Sequence, residues 1–519
     1  MKITTLASIY IGSYEIYFKI QELVSKRKIR DVENIRCRLN LGPELYKDSA
    51  IDYETVDELC ERLNDLKKIS ETYRCDECRV YAGSALRHAG NKVFVLDQVK
   101  IRTGLDIRIL SNSEQKNLGY RAVSVMDDFP QITKEGCAIL DIGGGSMQIT
   151  MFEGGHMNLT KQIPFGTMRV MNNLTLLRHT TGHPESQIME MADKEMEAFR
   201  ILYGGNKKIK HIVVLGKYLN DICRHQLNTP CELGISPSAQ YQEVMKASEF
   251  KTYISEICGS TMEELGEKFD FLNINDPVFF PSMIMYYCLI KAFKAEYIWV
   301  PSLDINDGIG YAYAQNRKIL KCEHNYEDDV ISCAKEIAKR YNCDEKHIET
   351  MERFSLGIFD TTKKFHGMTK RERLLLQTAV YLHDCGKYVC LSGHSQMSYH
   401  MIMASEIIGL THRERKIIAL AVKYHEMPLE EYDEYDGELT TEDYMVVAKI
   451  SAILRLSNAL DRSHKQKMQE FKITVKERDL VITVRSEKRF YWEQIKFQQE
   501  AEIFEKVFCL KPVLKEKRL

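Results

Sequence analysis

Long apolar runs are missing from this chain. No stretch approaches the roughly 18 consecutive apolar residues that a membrane-spanning helix needs. A dominant charge is missing too. Lys plus Arg number 72 against 74 for Asp plus Glu, and a net charge of −2 gives no bulk attraction to nucleic acid or to a membrane surface. Neither DNA nor membrane is therefore an expected partner. The opening MKITTLASIYIGSYEIYF carries charges and turn residues where a signal peptide would be apolar. The 15 cysteines have no disulfide-like pairing, and Cys75-Asp76-Glu77-Cys78 lacks the second pair a zinc site would require. They read as reduced thiols of a cytoplasmic protein. Low-complexity linkers are also absent, so the domains are expected to pack closely. At 519 residues the chain is too long for one core, and about 150 residues per domain implies three or four.

What is present is glycine in one telling place. Residues 138–149 read AILDIGGGSMQI, an apolar strand ending in Asp141, then Gly143, Gly144, Gly145 and Ser146, then a second strand. Glycines let a backbone approach a ligand closely, and successive N–H groups in such a turn form a nest for an anion, above all phosphate. Asp141 at the strand end is placed to hold a cation beside that phosphate. An ordinary hairpin with a loose turn is the alternative. A related pattern opens the chain, where YIGSYEIY at 10–17 also runs strand, Ile-Gly, Ser, strand. Gly12 and Gly143 lie 131 residues apart, a spacing suited to a duplicated α/β domain. Gly12 and Ser13 are thus candidates for the same phosphate-facing role.

After YAQNRKILKC the texture changes. From about 325 to 465, helical periodicity takes over through ISCAKEIAKRY, RERLLLQTAVYL, RERKIIALAVKY and DYMVVAKISAILRLSNAL. His383-Asp384 ends one of these helices, His347 opens another stretch upstream, and Asp461 closes the last. From about 470, FKITVKERDLVITVRSE predicts a hairpin around Arg478-Asp479, followed by a helix and a basic tail, KPVLKEKRL, expected as a solvated end.

Two α/β halves that each open with a Gly-Ser hairpin resemble the actin-like phosphotransferase superfamily. DIGGGS, SALRHAGN at 84–91, TGLDIRILS at 103–111 and the helical stretch from HIETMERFSLGIFD to LRLSNALDRS resemble, in order and spacing, the Ppx/GppA group of exopolyphosphatases and guanosine pentaphosphate phosphohydrolases. The resemblance implies an α/β + α chain: a duplicated actin-like (ribonuclease H-like) ATPase fold, an all-helical HD-type domain and a small C-terminal α+β piece. The boundaries are drawn as 1–125 and 126–318 for the two α/β subdomains, 319–468 for the helical domain and 469–519 for the last piece. The activity implied is removal of terminal phosphate from inorganic polyphosphate or from the phosphorylated guanine nucleotide pppGpp. It comes with a divalent metal, Mg or Mn, a glutamate-activated water, and a homodimer.

The residues depart from that pattern where the chemistry would be. Tyr10 stands in place of an acid before the first Gly-Ser, Gln115 in place of the base, and Gln148 in place of an acid after DIGGGS. A Gly-Thr turn has become Gly216-Lys217. Gln keeps the shape of Glu and loses the proton acceptor. Glu114, beside Gln115, serves as a substitute base only if its side chain faces the cleft. Arg87 aligns with the family's phosphate arginine, with an ion pair to a nearby carboxylate as the alternative. In the helical region the order His347, His383-Asp384, Asp461 resembles the metal-dependent HD phosphohydrolases, in which four such side chains converge on one ion. His394 and His425 fall where those domains add second-metal or phosphate ligands, or else serve as structural histidines. Met397 replaces a histidine expected nearby. The front site reads as a phosphate binder, and the helical site, with His383 and Asp384 at its centre, as the better catalyst.

Overall fold

The computed structural model describes residues 3–24, 29–39, 41, 50–177, 184–204, 209–216, 219–220, 222, 244–260, 262–269, 276, 278–320, 324–435, 437 and 439–517. Lys217 lies outside them. The chain divides into two compact units, Met1–Asn325 and Tyr326–Leu519.

In the first unit, strands β1 (Ile3–Ile11), β2 (Glu15–Val24), β3 (Ile29–Arg38), β4 (Glu77–Ala82) and β5 (Ile107–Ile109) form a sheet in the order β3-β2-β1-β4-β5. A second sheet holds β6 (Cys137–Ile142), β7 (Met147–Glu153), β8 (His156–Ile163), β9 (His211–Leu215), β10 (Val244–Lys246) and β11 (Tyr297–Trp299), ordered β10-β11-β9-β6-β7-β8. The run β8-β7-β6-β9-β11 repeats β3-β2-β1-β4-β5, with β10 added antiparallel at one edge. Even the irregularities match. The register slips between Ile20 and Gln21 in the first sheet and between Met151 and Phe152 in the second, at the same spacing that separates the two glycine hairpins. Bulges of this kind bend a strand at a set place, and two copies of one bulge are what duplication would leave.

Each sheet carries its own apolar core. Ala7, Ile9, Phe18 and Val80 pack with the helix Tyr53–Thr72 in one half, and Leu140, Ile149, Ile212 and Val214 with the helix Phe279–Phe293 in the other. Asp52 caps the first of these helices by accepting from Thr55 N–H at 2.6 Å. The last helix of the unit, Ile305–Asn316, packs on the first sheet and on the helix Asn112–Val123. Gly308 permits this approach, because a Cβ there would lie 1.9 Å from the Leu118 carbonyl oxygen. A buried ion pair fastens the join. Lys19 Nζ donates to both oxygens of Asp307 at 2.8 Å, with Asp31 at 3.3 Å and Asp304 at 3.8 Å. Burial alone would discharge Lys19, but Asp304, Asp307 and Asp31 outweigh it and keep the ammonium charged.

The second unit begins with helices Tyr326–Arg340, Glu345–Thr361, Lys370–Leu382, His394–Ala404, His412–Lys423 and Thr441–Leu460. A small sheet follows, in which β12 (Glu470–Lys476) and β13 (Asp479–Arg485) make a hairpin turning at Glu477, whose φ is 52°. The helix Tyr491–Phe508 packs on Thr441–Leu460. The basic tail departs from expectation. Lys511–Glu516 is a strand, β14, parallel to β13, with Leu480 and Ile482 buried beneath the pairing. Three apolar residues, Pro512, Val513 and Leu514, lie between exposed charged ends, with Pro512 buried, and the charge count had hidden this short strand.

Candidate functional sites

The duplication sets two glycine hairpins tip to tip. In the first, Gly12 N–H donates to the Glu15 carbonyl at 2.9 Å; in the second, Gly143 N–H donates to the Ser146 carbonyl at 3.0 Å. The twins therefore share one turn geometry, and Tyr10 occupies the place of Asp141. The tips meet closely, since a Cβ on Gly144 would lie 3.1 Å from Ser13 Cβ. Between the halves lies a cavity of about 190 Å³ lined by Gly12, Ser13, Asp141, Gly143, Gly144, Gly145 and Ser146 among others.

The three glycine carbonyls of the DIGGGS loop turn one way. Gly143 O accepts from Thr167 N–H at 3.1 Å, Gly144 O from Met168 N–H at 2.9 Å, and Gly145 O from Arg169 Nε at 2.8 Å. In a planar trans peptide the next residue's N–H points opposite to the carbonyl. The N–H groups of Gly144, Gly145 and Ser146 therefore face away from the helix Thr167–Leu177, which is the arrangement of an anion nest. Gly166 makes this docking possible, because a Cβ there would fall 2.4 Å from Ser146 N and 2.5 Å from Gly144 O. Gln162 holds the Ser146 hydroxyl, donating to it at 2.6 Å.

The carboxylates lining the cavity are Asp141, Glu15 and Asp304, while Gln115 holds the position where the base was expected. Burial pushes the Asp141 carboxyl up to about 6. Gln148 faces Asp141 across the hairpin, and Tyr17 faces Tyr10 with ring centroids 6.1 Å apart. Tyr10 fills space between the first hairpin and the base position. A Cβ on Gly83 would lie 2.1 Å from the Tyr10 hydroxyl and 3.3 Å from Gln115 Oε1. Gln115 lines the cavity, whereas Glu114 does not. Glu114 is the third residue of its helix, where it accepts from Ser111 N–H at 3.0 Å and Ser111 Oγ at 2.7 Å and pairs with Arg108. That capping box turns its carboxylate to the helix start, so the structure does not offer Glu114 as the substitute base. Arg87 is not among the lining residues either, and its Nη1 donates to Leu110 O at 2.5 Å. Among the described residues the cation that lines the cavity is Arg36, on β3, 4.9 Å from the centroid of the Tyr17 ring and 3.7 Å from Asp304.

The second unit contains a different kind of centre. His347 lies in the first turn of Glu345–Thr361, His383 and Asp384 follow Lys370–Leu382, His394 begins its helix after Gly393, and His425 follows His412–Lys423. Helix ends thus bring five chemically active side chains to one buried place. Four imidazoles are oriented alike. His383 Nδ1 donates to Val380 O at 2.7 Å, His425 Nδ1 to Val422 O at 2.5 Å, His394 Nδ1 to Leu391 O at 3.3 Å, and His347 Nδ1 to Asp461 Oδ2 at 2.9 Å. Each Nε2 is left as a lone pair, buried and without a hydrogen-bond partner, as is Asp384 Oδ1.

Asp384 is the hub, 3.5 Å from His383 Nε2 and 3.4 Å from His394 Nε2. Its ligating atom groups with His347 and His464 on one side and with His394 and His425 on the other. Burial lowers His383 to about 3 and lowers His425, so both stay neutral. Burial would raise Asp384, but the His394 imidazole and the Lys387 ammonium outweigh it and hold the carboxyl well below the usual range. Neutral His383 and His425 offer lone pairs beside an ionised carboxylate; burial would lower His394 as well, but Asp384 and Glu426 outweigh it and raise that imidazole. Buried lone pairs facing one another cost free energy unless a cation joins them, so the residues present fit a metal ion.

Asp461, expected as a direct ligand, has another place. One oxygen accepts from His347 and from Gln466 Nε2 at 3.2 Å, and the other from Gln466 N–H at 2.8 Å. It orients His347 from behind. His464, three residues on, stands with His347 and Asp384 instead, its ring stacked on His347 at 3.7 Å. Sequence reasoning missed His464, Gly166 and Arg36. The first two carried a signal in Asp-Arg-Ser-His and Pro-Phe-Gly-Thr, while Arg36 sits on a strand with none.

Both units can be set beside known proteins. An exopolyphosphatase structure from Cytophaga hutchinsonii superposes over 61% of this chain and all of its own, with a TM-score of 0.51 at 15% identity. The first unit therefore has the duplicated actin-like fold, with a helical region and a small mixed piece after it. The Ppx/GppA phosphatase family pattern matches residues 20–264, and the pattern for domain III of Ppx/GppA phosphatase matches 331–501. The chain belongs to the Ppx/GppA phosphatase family. Among relatives, a bifunctional 3-dehydroquinate synthase/phosphatase of Fusobacterium nucleatum is 25% identical over 38% of this chain, and exopolyphosphatase 1 of Mycobacterium leprae 24% identical over 31%. Those matches span only 31% and 46% of the two relatives. A guanosine-5'-triphosphate,3'-diphosphate pyrophosphatase of Vibrio atlanticus is 19% identical over 92% of this chain and 91% of its own.

Proposed function

We propose that this protein is a divalent-metal-dependent phosphohydrolase that removes terminal phosphate from a phosphoanhydride chain, inorganic polyphosphate or pppGpp, with its hydrolytic centre in the helical unit. The observation that carries this reading is the set of four buried Nε2 lone pairs converging on Asp384. His347, His383, Asp384, His394 and His425 would hold the ion, Mn or Mg, in an HD-type arrangement. Held there, a divalent ion supplies Lewis acidity and makes water nucleophilic near neutral pH. The protein's own groups do the rest. Asp461 fixes the tautomer of His347, and Ser398 braces the turn by donating to His383 O at 2.9 Å while accepting from Gly386 N–H at 2.8 Å. Lys387, 2.6 Å from Asp384, and Arg462, 2.9 Å from Glu426, supply positive charge for an anionic substrate.

The cleft of the first unit serves this function as a phosphate binder. Its amide nest and Arg36 suit a terminal phosphate, and Gln115, Gln148 and Tyr10 stand where the family pattern carries its base and acids. Those substitutions favour a second reading, a polyphosphate or nucleotide sensor in which the cleft binds without turnover.

The test is phosphate release from polyphosphate and from pppGpp with Mn²⁺ or Mg²⁺, comparing the wild type with Asp141→Ala and with His383→Ala/Asp384→Ala. Release lost in the double variant and only weakened in Asp141→Ala supports hydrolysis in the helical unit. Release that survives the double variant and vanishes with Asp141→Ala refutes it. No release from either substrate, with binding retained, leaves the sensor.

A further inference from the structure

Glu493 is the third residue of the helix Tyr491–Phe508, in the C-terminal piece, and it is completely buried. A buried carboxylate is costly unless paired. Glu493 is paired twice, with the Ser463 hydroxyl and with Lys467 Nζ at 3.0 Å. Those two partners bracket the loop that follows Asp461. Ser486, at the end of β13, adds a further tie from the same piece, donating to Lys467 O at 2.8 Å.

The bracketed loop has an unfavourable backbone. His464 and Gln466 have φ of 52° and 46°, the left-handed region that side chains other than Gly seldom adopt. Strain of this kind persists only where surroundings enforce it, and it gathers at functional sites. Here its product is visible. His464 Nδ1 meets Asp344 Oδ2 at 3.1 Å, and its ring lies flat on His347, 8° from parallel. Gln466 donates twice to Asp461, which in turn accepts from His347 Nδ1. Both the face and the rear of His347 are therefore set by the loop that Glu493 clamps.

We infer that Glu493 is a positioning residue of the metal centre, so that the C-terminal strand-and-helix piece is a working part of that centre. The clamp imposes the strained loop, and the loop aims His347 Nε2 through Asp461 and His464. The inference rests on reading the histidine–aspartate cluster as a metal site.

The experiment is a Mn²⁺ titration of the full chain, followed by electron paramagnetic resonance. Loss of a partner behind a ligand typically lowers metal affinity 10–100-fold, and a drop of about that size is expected for Glu493→Ala. Ser463→Ala/Lys467→Met breaks the same clamp from the loop side without touching the helix, and should reproduce the drop even if Glu493→Ala fails to fold. Phe497→Leu loosens the same helix at a buried apolar position and should leave affinity unchanged. Wild-type affinity in the Ser463/Lys467 variant overturns the inference, as does an equal drop in Phe497→Leu, which would make the effect one of general loosening. Absence of Mn²⁺ binding in the wild type, or binding that survives His383→Ala/Asp384→Ala, overturns the metal-site reading itself, and the inference with it.

Discussion

Replacing His425 with leucine should change sign of importance with the metal supply. In chelator the substitution removes one buried Nε2 lone pair that lies beside the His383 and His394 rings and has no donor. It also removes the Nδ1–H donated to Val422 O at 2.5 Å, leaving that carbonyl only the longer bond from the residue 425 N–H at 3.4 Å. Each buried, unsatisfied group costs about 1–3 kcal/mol, so the relief and the loss nearly cancel and the variant should lie within about 1 kcal/mol of the wild type. Metal changes the comparison. An ion that binds only the folded form stabilises it by about 2.7 kcal/mol at a hundredfold excess over its dissociation constant. The wild type gains that amount and His425→Leu gains little, so a gap of about 2–3 kcal/mol opens only when Mn²⁺ is added. Hydrogen exchange of the amides in Lys370–Leu382 and His412–Lys423 reads this locally, free of contributions from the first unit. A gap of the same size in chelator, or wild-type protection that ignores Mn²⁺, would refute the reasoning.

Three further outcomes are expected of the first unit. Asp141, raised by burial from its ordinary 3.8 to about 6, keeps a proton in the fold that the unfolded chain releases; its contribution to stability is present below pH 4 and is lost as pH rises through about 6. Pyrophosphate binding in chelator should accordingly weaken across that window, and calorimetry should find the dependence flattened in Asp141→Asn. Gly166→Ala forces a Cβ into the backbone of the DIGGGS loop and should cost about 1–3 kcal/mol in urea unfolding, with pyrophosphate affinity falling as well; unchanged binding would argue against the nest. Lys19→Met strands a buried carboxylate at Asp307 and should cost about 3–5 kcal/mol, measured by the same urea transition.

Much of the fold was legible because its signals are local. The hairpin at Gly143 and its partner at Gly12 share a strand–Ile-Gly–strand pattern, and the switch from period two to helical period near 325 is a property of the letters alone. The return of the helix Ile305–Asn316 to the first sheet was not legible, because it depends on Lys19 meeting Asp307 across 288 positions. The tail at 511–516 was misjudged because its charges suggested solvent, while the open edge of β13 supplies the partner that makes it a strand.

The sites divide along the same line. From sequence alone came the residue types that chemistry requires: a run of glycines able to bare its amides, a glutamine where a base was expected, and histidines and an aspartate at the ends of helices. Their division of labour was decided by tertiary structure, because it depends on where each oxygen and nitrogen finds its partner. Glu114 is an acid in either account, but its capping box with Ser111 takes it out of the cleft. Asp461 is next to the histidine cluster in either account, yet its oxygens accept hydrogen bonds from His347 and Gln466, and it is His464 that groups with His347 and Asp384. Residue chemistry is written one letter at a time, whereas the direction of a lone pair is set by its hydrogen-bond partner, a carbonyl three positions upstream for His383 and His425 but a carboxylate 114 positions away for His347.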